Sequence, residues 1–257
     1  MSFNLRRRKV SDGPNTWVAR RDAAAEVLRR YAPDVIGTQE GLEDQVEDLL
    51  AKLPGYAALG QGRFGGRADE FNAILYRKDR FAVLDQGDFW LSDTPDVPGS
   101  RSWGNYVPRM ATWAHLKDRA TGEPFHVFNT HFDHLVPGAR RKAAELVARR
   151  LPESRENVVL MGDFNAVPTG GTYRYLTRHH KGPRFRDSLD LAESWLPQRW
   201  NATFHKFTGR GLYRIDYLFL KNPTRVSKHV VVRDTPGGKF PSDHFPVYAE
   251  VEMPLVA

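Results

Sequence analysis

The chain has 257 residues, of which 40% are hydrophobic and 12% are aromatic. This is enough apolar material for a folded core, and it excludes a disordered or fibrous polymer. The 38 Lys and Arg residues against 31 Asp and Glu give a net charge of +7, which suits acidic partners such as phosphates and equally suits simple solubility. The sequence contains no Cys, which excludes disulfides, thiolate metal sites and a cysteine nucleophile.

Neither a membrane span nor a second domain is predicted. No apolar run approaches the roughly 18 residues of a membrane-spanning helix. Met1 is not followed by an apolar leader, so we predict no signal peptide; a processed exported protein would look the same, and the compartment stays open. No repeat and no linker of different composition interrupts the chain. We therefore expect a single domain over residues 1–257, with no obligate protein partner evident.

The first part of the chain alternates short strands with helices. Residues 3–5 are typical of a strand, and a basic segment, Arg-Arg-Arg-Lys, follows at 6–9. From Thr16 the apolar residues recur at helical spacing until a proline stops them, and residues 34–40 form a short strand that ends in a carboxylate. A second helix is predicted over 42–53, before Pro-Gly.

The middle of the chain contains loops and a hairpin. Residues 60–66 are glycine-rich, 72–76 are strand-like, and a long irregular stretch covers 92–108. A compact domain seldom keeps such a loop unless the loop contributes to function. The segments 111–117 and 125–129 flank Thr-Gly-Glu, which is typical of a β-hairpin.

The last part adds a helix at 139–151, a buried strand at 158–161, and strands at 215–220 and 247–253. Strands and helices interleave, but the hairpin also requires antiparallel pairing. We therefore predict an α/β protein in which mixed sheets pack against each other with helices outside, rather than a purely parallel doubly wound sheet.

Polar residues repeatedly occur where a predicted strand ends. They are Asn4, Glu40, the segment 129–134, Asp163, Asn165, Asp216, Asp243 and His244. Each one alone is better explained as a helix cap, a turn residue or a structural histidine. Because strand ends meet on one face of a layered α/β fold, the whole set indicates a shared cleft.

These residue types favour metal-assisted phosphoryl transfer. Carboxylate and amide oxygens without thiolates suit a hard cation such as Mg²⁺ or Mn²⁺, and histidines beside carboxylates can act as base and acid. The nine histidines make zinc the competing interpretation. However, there is no His-Glu-x-x-His helix, and His179 and His180 fall in a Lys/Arg/Gly-rich loop that is typical of solvated surface.

At these residues the chain resembles the endonuclease/exonuclease/phosphatase superfamily, which contains deoxyribonucleases, abasic-site endonucleases and inositol-polyphosphate phosphatases. The resemblance covers nearly the whole chain. Its carriers are Ser-Phe-Asn-Leu-Arg at 2–6, Gly-Thr-Gln-Glu at 37–40, Glu-Phe-Asn-Ala-Ile-Leu-Tyr at 70–76, Asn-Thr-His-Phe-Asp-His at 129–134, Gly-Asp-Phe-Asn at 162–165, Arg-Ile-Asp-Tyr at 214–217 and Ser-Asp-His-Phe-Pro-Val at 242–247. The stretch 92–108 resembles a bacterial branch of mostly uncharacterised members.

The resemblance implies a four-layer α/β sandwich, in which two packed mixed β-sheets are flanked by helices, and a divalent-metal-dependent phosphoester hydrolase. The superfamily's first strand usually has residues ahead of Ser-Phe-Asn, so either the first strand is short or upstream sequence is missing. Glu40 is similar to the principal Mg²⁺ ligand, with Asn4 and Asp243 beside it. Asp163 and Asn165 would orient the attacking water and the phosphate, and a second divalent ion near Asp163 is an open alternative.

The remaining site residues are also assigned by resemblance. His244, paired with Asp216, would help to activate the water. His131 would contact a phosphate oxygen or serve the leaving group, with Glu70 as its orienting carboxylate. Arg109, in Val-Pro-Arg-Met-Ala-Thr-Trp, resembles a phosphate-contacting arginine of the deoxyribonuclease branch. The neighbours of His131 at positions 133 and 134 would either extend the site or form a turn.

Three hypotheses about the substrate remain. The first is a nuclease or phosphodiesterase acting on DNA or RNA, because the basic segment 6–9 could attract a polyanion and Trp103 with Arg101 could stack a base and hold a phosphate. Equally, segment 6–9 could be a solvated loop and Trp103 could anchor its loop to the core. The second is hydrolysis of a small phosphoester, such as an inositol phosphate or a phospholipid headgroup. The third, a catalytically silent nucleic-acid-binding protein, is disfavoured because binding requires none of the paired His and carboxylates.

Overall fold

The structure is a computed structural model that describes residues 1–154, 156–179, 181–193, 201–223 and 225–253. The surface position predicted for His180 lies outside this part of the chain. Within it, no helix is both long and apolar enough to cross a membrane.

Twelve strands and five α-helices make up the described chain. The strands are β1 (Ser2–Asn4), β2 (Val35–Gln39), β3 (Tyr56–Leu59), β4 (Ile74–Arg77), β5 (Phe81–Trp90), β6 (Met110–Asp118), β7 (Pro124–His131), β8 (Asn157–Asp163), β9 (Arg186–Asp187), β10 (Asp216–Lys221), β11 (Arg225–Val231) and β12 (Val247–Glu252). The helices are α1 (Trp17–Tyr31), α2 (Glu43–Lys52), α3 (Pro137–Arg149), α4 (Gly171–Thr177) and α5 (Ser188–Leu191).

The strands form two six-stranded mixed sheets. Sheet 1 has the spatial order β11-β12-β1-β2-β4-β3, and sheet 2 has the order β5-β6-β7-β8-β10-β9. Among these pairs, β1 with β2 and β7 with β8 are parallel, and the others are antiparallel. The prediction of mixed sheets is therefore confirmed.

Three apolar clusters produce the four layers. One joins sheet 1 to α1 and α2 through residues such as Trp17 and Leu49, and another joins sheet 2 to α3 and α4 through residues such as Phe128 and Val147. The third lies between the sheets and includes Val127 and Met161. The predicted four-layer sandwich is confirmed.

Asn129, on β7, ties the two sheets together. Its Nδ2 donates to the carbonyl of Thr38 at 2.8 Å and to that of Ala73 at 3.0 Å. A Cβ on Gly37 would lie 2.6 Å from Asn129 Oδ1, so glycine is required where the sheets approach most closely. This polar contact fixes the register of one sheet on the other next to the strand ends that carry the predicted site.

The helices follow their sequence signals. Helix α1 ends at Ala32, whose φ of 40° is left-handed and whose N–H bonds the Leu28 carbonyl, and Pro33 prevents continuation. Helix α3 begins at a proline, which is well tolerated in the first turn. Strands β3, β5, β9 and β11 and helices α4 and α5 were not predicted. Strand β5 was not recognised because its middle is exposed, with Leu84 51% exposed. Its side chains therefore do not alternate between apolar and polar.

Candidate active site

Seven predicted site residues lie at one edge of the sandwich, where strands of both sheets end or begin. Asn4, His131 and Asp163 close β1, β7 and β8, Glu40 follows β2, Asp216 opens β10, and Asp243 and His244 precede β12. Strand β10 runs antiparallel to β8, and β12 runs antiparallel to β1. Their starting ends therefore meet the carboxyl ends of the other strands, and the residues converge although they are separated by up to 240 positions.

Asp163 lies at the centre of this group. Its Oδ2 accepts a hydrogen bond from Asn4 Nδ2 at 3.1 Å and lies 3.6 Å from His131 Nε2 and 3.9 Å from His244 Nε2. Its Oδ1 accepts the backbone N–H of Asn165 at 2.9 Å. Asp163 is only 1% exposed, so each of these contacts acts in a largely water-free environment.

Glu40 is held in a strained backbone conformation beside Asp163. Its φ is 61°, which is uncommon for a non-glycine residue and typical of functional positions. Glu40 Oε1 accepts from Asn4 Nδ2 at 3.0 Å, and Oε2 accepts the N–H of Arg7 at 3.1 Å. Asn4 thus donates to both carboxylates and holds them close together.

Burial and charge move the pKa values of these two carboxyl groups in opposite directions. Burial raises the pKa of Asp163 to about 7, and the Asp216 charge adds to the effect. Burial also acts to raise the pKa of Glu40, but the His244 charge and the hydrogen bonds from Asn4 and Arg7 outweigh it and keep that pKa below its ordinary value. The site therefore contains one firmly ionised carboxylate and one that titrates near neutrality.

His244 is paired with Asp216, as predicted from the resemblance. The distance from His244 Nδ1 to Asp216 Oδ2 is 2.9 Å, and the same oxygen accepts from Thr203 Oγ1 at 2.5 Å. Burial opposes the imidazolium, but Asp216 and then Asp163 outweigh it and raise the pKa of His244 to about 10. Asp216 thus orients the ring with Nε2 toward Asp163 and stabilises its positive charge.

His131 has the opposite charge state. Burial holds its pKa well below the ordinary value, and the positive charges of Arg109 and His244 lower it further. At neutral pH this ring is therefore a neutral imidazole, which can donate one hydrogen bond without carrying charge.

The donor set fits a divalent cation. Ligand atoms of Glu40, His131 and Asp163 all lie within 4.8 Å of one another, as do those of Asp163, Asp216 and His244. Carboxylate oxygens suit a hard cation. The raised pKa of Asp163 indicates too little nearby positive charge for its anion, and a bound divalent ion would supply that charge.

Asn4 and Asp243 lie at the site but face protein groups. Asn4 Oδ1 accepts the N–H of Arg6 at 2.9 Å, so its amide oxygen is engaged within the backbone turn. Asp243 Oδ2 lies 3.7 Å from Arg6 Nη1, and Oδ1 accepts from Ser242 Oγ at 3.3 Å. The ligand roles expected for these two residues stay predictions.

Glu70 does not hold the place that the resemblance implied. Its Oε2 accepts from Arg63 Nη1 at 2.8 Å and its Oε1 from Arg7 Nη1 at 3.3 Å. Instead of orienting His131, this carboxylate is therefore engaged by two guanidinium groups, which attract it more strongly than a neutral imidazole. The carboxylate with a contact to His131 in the described chain is Asp163.

Arg109 lies in a narrow pocket with His131 and Arg63. It is 6% exposed, and its Nη2 lies 3.0 Å from His134 Nδ1. His134 therefore borders the site, whereas Asp133 has the turn role, since its Oδ1 accepts the N–H groups of residues 135 and 136. Two buried guanidinium groups beside a neutral imidazole form an environment suited to one small anion.

The three arginines of segment 6–9 are paired with carboxylates. Each of its arginines has a carboxylate partner in the described chain: Arg6 with Asp12 at 2.9 Å, Arg7 with Asp69 at 2.8 Å and Arg8 with Asp44 at 2.6 Å. The sequence could not show this neutralisation, because all but the first of these partners are distant along the chain.

Trp103 anchors its loop rather than standing free. Its ring packs against the core cluster beside sheet 2, and its Nε1 donates to Asp93 at 2.7 Å. Arg101 donates to the carbonyl of Tyr106 at 2.6 Å. The alternative in which Trp103 fixes the 92–108 loop is therefore the one that the structure supports.

Two residues of this region were missed by sequence reasoning. Arg63 reaches the pocket from the glycine-rich segment 60–66, and an arginine inside such a loop was the available signal. Thr203 donates to the Asp216 carboxylate, and nothing in the sequence near Thr203 indicates this, because the contact depends on a loop that returns to β10.

Comparison with known proteins agrees with this architecture. The model of the Endonuclease/Exonuclease/phosphatase family matches residues 1–244. A solved structure of an endonuclease/exonuclease/phosphatase family protein from Bacteroides thetaiotaomicron is 34% identical with a TM-score of 0.89, and the match covers 99% of this chain and 97% of that one. A mannosyl-6-phosphatase from the same organism is also 34% identical, with a TM-score of 0.89 and 97% of each chain covered.

A viral relative matches over a shorter length. The uncharacterised protein L388 of Acanthamoeba polyphaga mimivirus is 31% identical over 165 residues, which are 58% of this chain and 59% of the viral protein. The match thus spans less than two thirds of that relative. The family match over residues 1–244, together with the two structures that share nearly the whole length, shows that this chain belongs to the endonuclease/exonuclease/phosphatase family.

Proposed function

We propose that this protein is a divalent-metal-dependent phosphoester hydrolase whose Mg²⁺ or Mn²⁺ is held by Glu40 and Asp163. The observation that carries the proposal is the convergence of Glu40, His131 and Asp163, whose ligand atoms lie within 4.8 Å of one another at the ends of the strands. A cation bound there would neutralise phosphate charge and favour in-line attack by water. The placement of a second ion near Asp163 stays an alternative.

Asp163, Asn165 and His244 have separate roles beside the cation. Asp163 would orient the attacking water beside the cation, whose positive charge would keep this carboxyl group ionised. Asn165, whose N–H is bonded to Asp163, would orient the same water and the phosphate. His244, held charged by Asp216, would stabilise the negative charge that develops on the phosphate.

Phosphate binding is assigned to the other side of the site. The neutral His131 would donate a hydrogen bond to a phosphate oxygen, and Arg109 and Arg63 would supply charge from the adjoining pocket. Glu70 belongs to this side as well, since it fixes the guanidinium of Arg63 at 2.8 Å. We assign it a positioning role there, in place of the role beside His131.

A small phosphomonoester, such as a sugar phosphate, is the substrate class that we propose. The pocket beside His131 is small, and its two arginines, Arg63 and Arg109, are buried, which suits one compact phosphate group. The 34% identity to a mannosyl-6-phosphatase over 97% of both chains supports the same choice. This choice differs from the first hypothesis of the sequence analysis, in which the substrate is DNA or RNA.

Nucleic-acid phosphodiester cleavage is the second candidate, and the net charge of +7 favours it. A substrate panel separates the two. With Mg²⁺ or Mn²⁺ present, mannose 6-phosphate, inositol phosphates and p-nitrophenyl phosphate would be compared with bis-p-nitrophenyl phosphate, an oligodeoxynucleotide and an oligoribonucleotide. We expect kcat/KM for the best monoester to exceed that for every diester by at least about tenfold, which corresponds to about 1.4 kcal/mol of transition-state discrimination.

Two variants serve as controls for this panel. Glu40→Gln removes the charge of the proposed ligand and should abolish all of the activities, whereas Arg8→Gln removes an exposed arginine of segment 6–9 and should change none. Faster cleavage of an oligonucleotide, with loss of that activity in Arg8→Gln, would establish the second candidate. Hydrolysis of no substrate by the wild-type chain with either metal would overturn the proposed function.

A further inference from the structure

A second cluster of histidine and carboxylate side chains lies on sheet 2, away from the candidate active site. His115 on β6 and His126 on β7 are direct cross-strand partners. Their rings stack with centroids 4.1 Å apart and planes 6° from parallel. Glu156, immediately before β8, faces both of them.

The ligand-type atoms of the three residues converge on one point. Glu156 Oε2 lies 2.9 Å from His115 Nε2 and 2.8 Å from His126 Nε2, and the three atoms are within 4.8 Å of one another. Both His115 Nε2 and Glu156 Oε2 are buried atoms without a hydrogen-bond partner in the described chain. Their close approach therefore lacks the angles of a hydrogen bond, and the attraction that a proton would provide is missing.

The cluster is separate from the active site. Along β7, His126 precedes His131 by five residues, so it lies about 16 Å away at the usual strand rise. An odd separation also places the two side chains on opposite faces of the sheet. The side chains of His115, His126 and Glu156 are 23%, 12% and 21% exposed, so an ion from solvent can reach them.

We propose that His115, His126 and Glu156 form a binding site for a borderline transition metal, with Zn²⁺ as the ion that their chemistry fits best. Two imidazole nitrogens and one carboxylate oxygen are typical Zn²⁺ ligands, and water would complete a tetrahedral site. Mg²⁺ is disfavoured because it prefers oxygen ligands and octahedral geometry.

The geometry needs only a small adjustment to accept this ion. Tetrahedral coordination with bonds of about 2.0 Å places ligand atoms about 3.3 Å apart, against 2.8 and 2.9 Å here. Side-chain rotation of a few tenths of an ångström opens that space. Burial, and next the neighbouring His115, lower the pKa of His126, which favours the neutral form that a metal requires.

A bound ion would connect three parts of the chain. His115 and His126 belong to adjacent strands, and Glu156 ends the connection between α3 and β8. The ion would therefore fix this connection to the outer face of sheet 2. The residues of this proposed metal site take no part in the proposed hydrolysis.

Zinc binding to the full chain tests this inference. The active site also offers His and carboxylate ligands, so Asp163→Asn provides a background in which that competing site is weakened. We expect metal-stripped Asp163→Asn to bind one equivalent of Zn²⁺ by competition with a chromophoric chelator. We expect added Glu156→Gln or His126→Gln to weaken that binding at least about tenfold, since each removes one of three protein ligands. His179→Gln, in the same background, is the matched control and should bind as its parent does.

Further measurements distinguish loss of a metal ligand from loss of the fold. Far-ultraviolet circular dichroism and the Tm of each metal-free variant should match the parent, and Zn²⁺ should raise the Tm of Asp163→Asn but not that of the variants that also lack a ligand. Co²⁺ bound to the same protein should give the absorption of a four-coordinate ion. Zinc binding that is unchanged in both Glu156→Gln and His126→Gln, or absent from folded Asp163→Asn, would refute the site; the proposed phosphoester hydrolysis would be unaffected by either result.

Discussion

Two histidine–carboxylate clusters lie near opposite ends of the sheet 2 strands and differ in environment, and one of them includes His244 from the segment before β12. At one end, His244 is paired with Asp216 at 2.9 Å, and both side chains are at most 6% exposed. At the other end, Glu156 lies equally close to His115 and His126, but these side chains are 12–23% exposed. Distance alone therefore does not distinguish the clusters.

The difference lies in how the charge is balanced. Around His244, the carboxylates of Asp216, Asp163 and Asp243 outweigh the cost of burial and raise the pKa of the ring to about 10. Around His126, burial and the neighbouring His115 outweigh the carboxylates, and the pKa falls. A charged imidazole can stabilise phosphate charge, whereas a neutral one can bind a transition metal. The balance between burial and nearby carboxylates thus indicates different functions for the two clusters.

Removing divalent metal should have the largest effect on catalysis. We expect excess EDTA to lower kcat/KM for the best monoester by about 10³-fold or more, because a bound cation supplies several kcal/mol of charge stabilisation. Added Mg²⁺ or Mn²⁺ should restore the rate. Glu156→Gln should respond to both treatments as the wild type does. If added metal failed to restore activity in that variant, the two clusters would depend on each other, contrary to our assignment.

Replacing one histidine from each cluster should separate their roles directly. We expect His244→Gln to lower kcat by about 10²–10³-fold, the usual cost of losing one group that stabilises transition-state charge, and His115→Gln to change kcat less than about twofold because it contacts no reacting group. Steady-state kinetics with circular dichroism on both variants would check this. Full activity in His244→Gln would show that His244 has no part in the proposed mechanism.

Asp216→Asn should reduce kcat less than His244→Gln does, by about 10–10²-fold, because the imidazole remains while its orienting charge is lost. The pKa of His244 should fall from about 10 toward or below its ordinary value. NMR titration of the histidine ring protons, with His244→Gln used for assignment, measures this shift. An unchanged pKa would mean that Asp216 is not the source of the raised value.

The metal-free protein should lose stability as pH rises above neutrality. Asp163 and His244 both have folded-state pKa values above the ordinary ones, about 7 against 3.8 and about 10 against 6.5. The folded state thus binds more protons, and its advantage disappears as pH rises, from about pH 4 to 7 for Asp163 and from about pH 6.5 to 10 for His244. Tm measured in EDTA should fall between pH 6 and 9, and the fall should be smaller in Asp163→Asn. An increase over this range would contradict the charge balance described above.

The smallest effect is expected from Glu156→Gln in metal-free protein. Its contacts are partly exposed and lack hydrogen-bond angles, so its free energy of unfolding should change by less than about 1 kcal/mol. Urea unfolding measures this value. A much larger loss would show that the pair stabilises the fold without metal and would weaken the case for a zinc site.

The sequence alone determined the class of fold and most members of the candidate site. Buried strands such as 158–161 and the hairpin flanks were readable because local apolar patterns report burial directly. The positions of Glu40, Asp163 and His244 were also readable, because a polar residue at the end of an apolar run is visible without a structure. Their order along the chain then identified the family, and with it the pairing of Asp216 with His244.

Only the tertiary structure decided which partners each charged group has. Glu70 is engaged by Arg7 and Arg63 rather than by His131, and the arginines of segment 6–9 are neutralised, because electrostatic partners are chosen by distance in space and not by position in the sequence. For the same reason the sequence did not indicate the His115–His126–Glu156 cluster, whose members are 11 and 30 positions apart. The two histidines meet because β6 pairs with β7, and Glu156 joins them where the chain returns after α3. Local pattern determines where a side chain is buried, and tertiary packing determines which charges surround it.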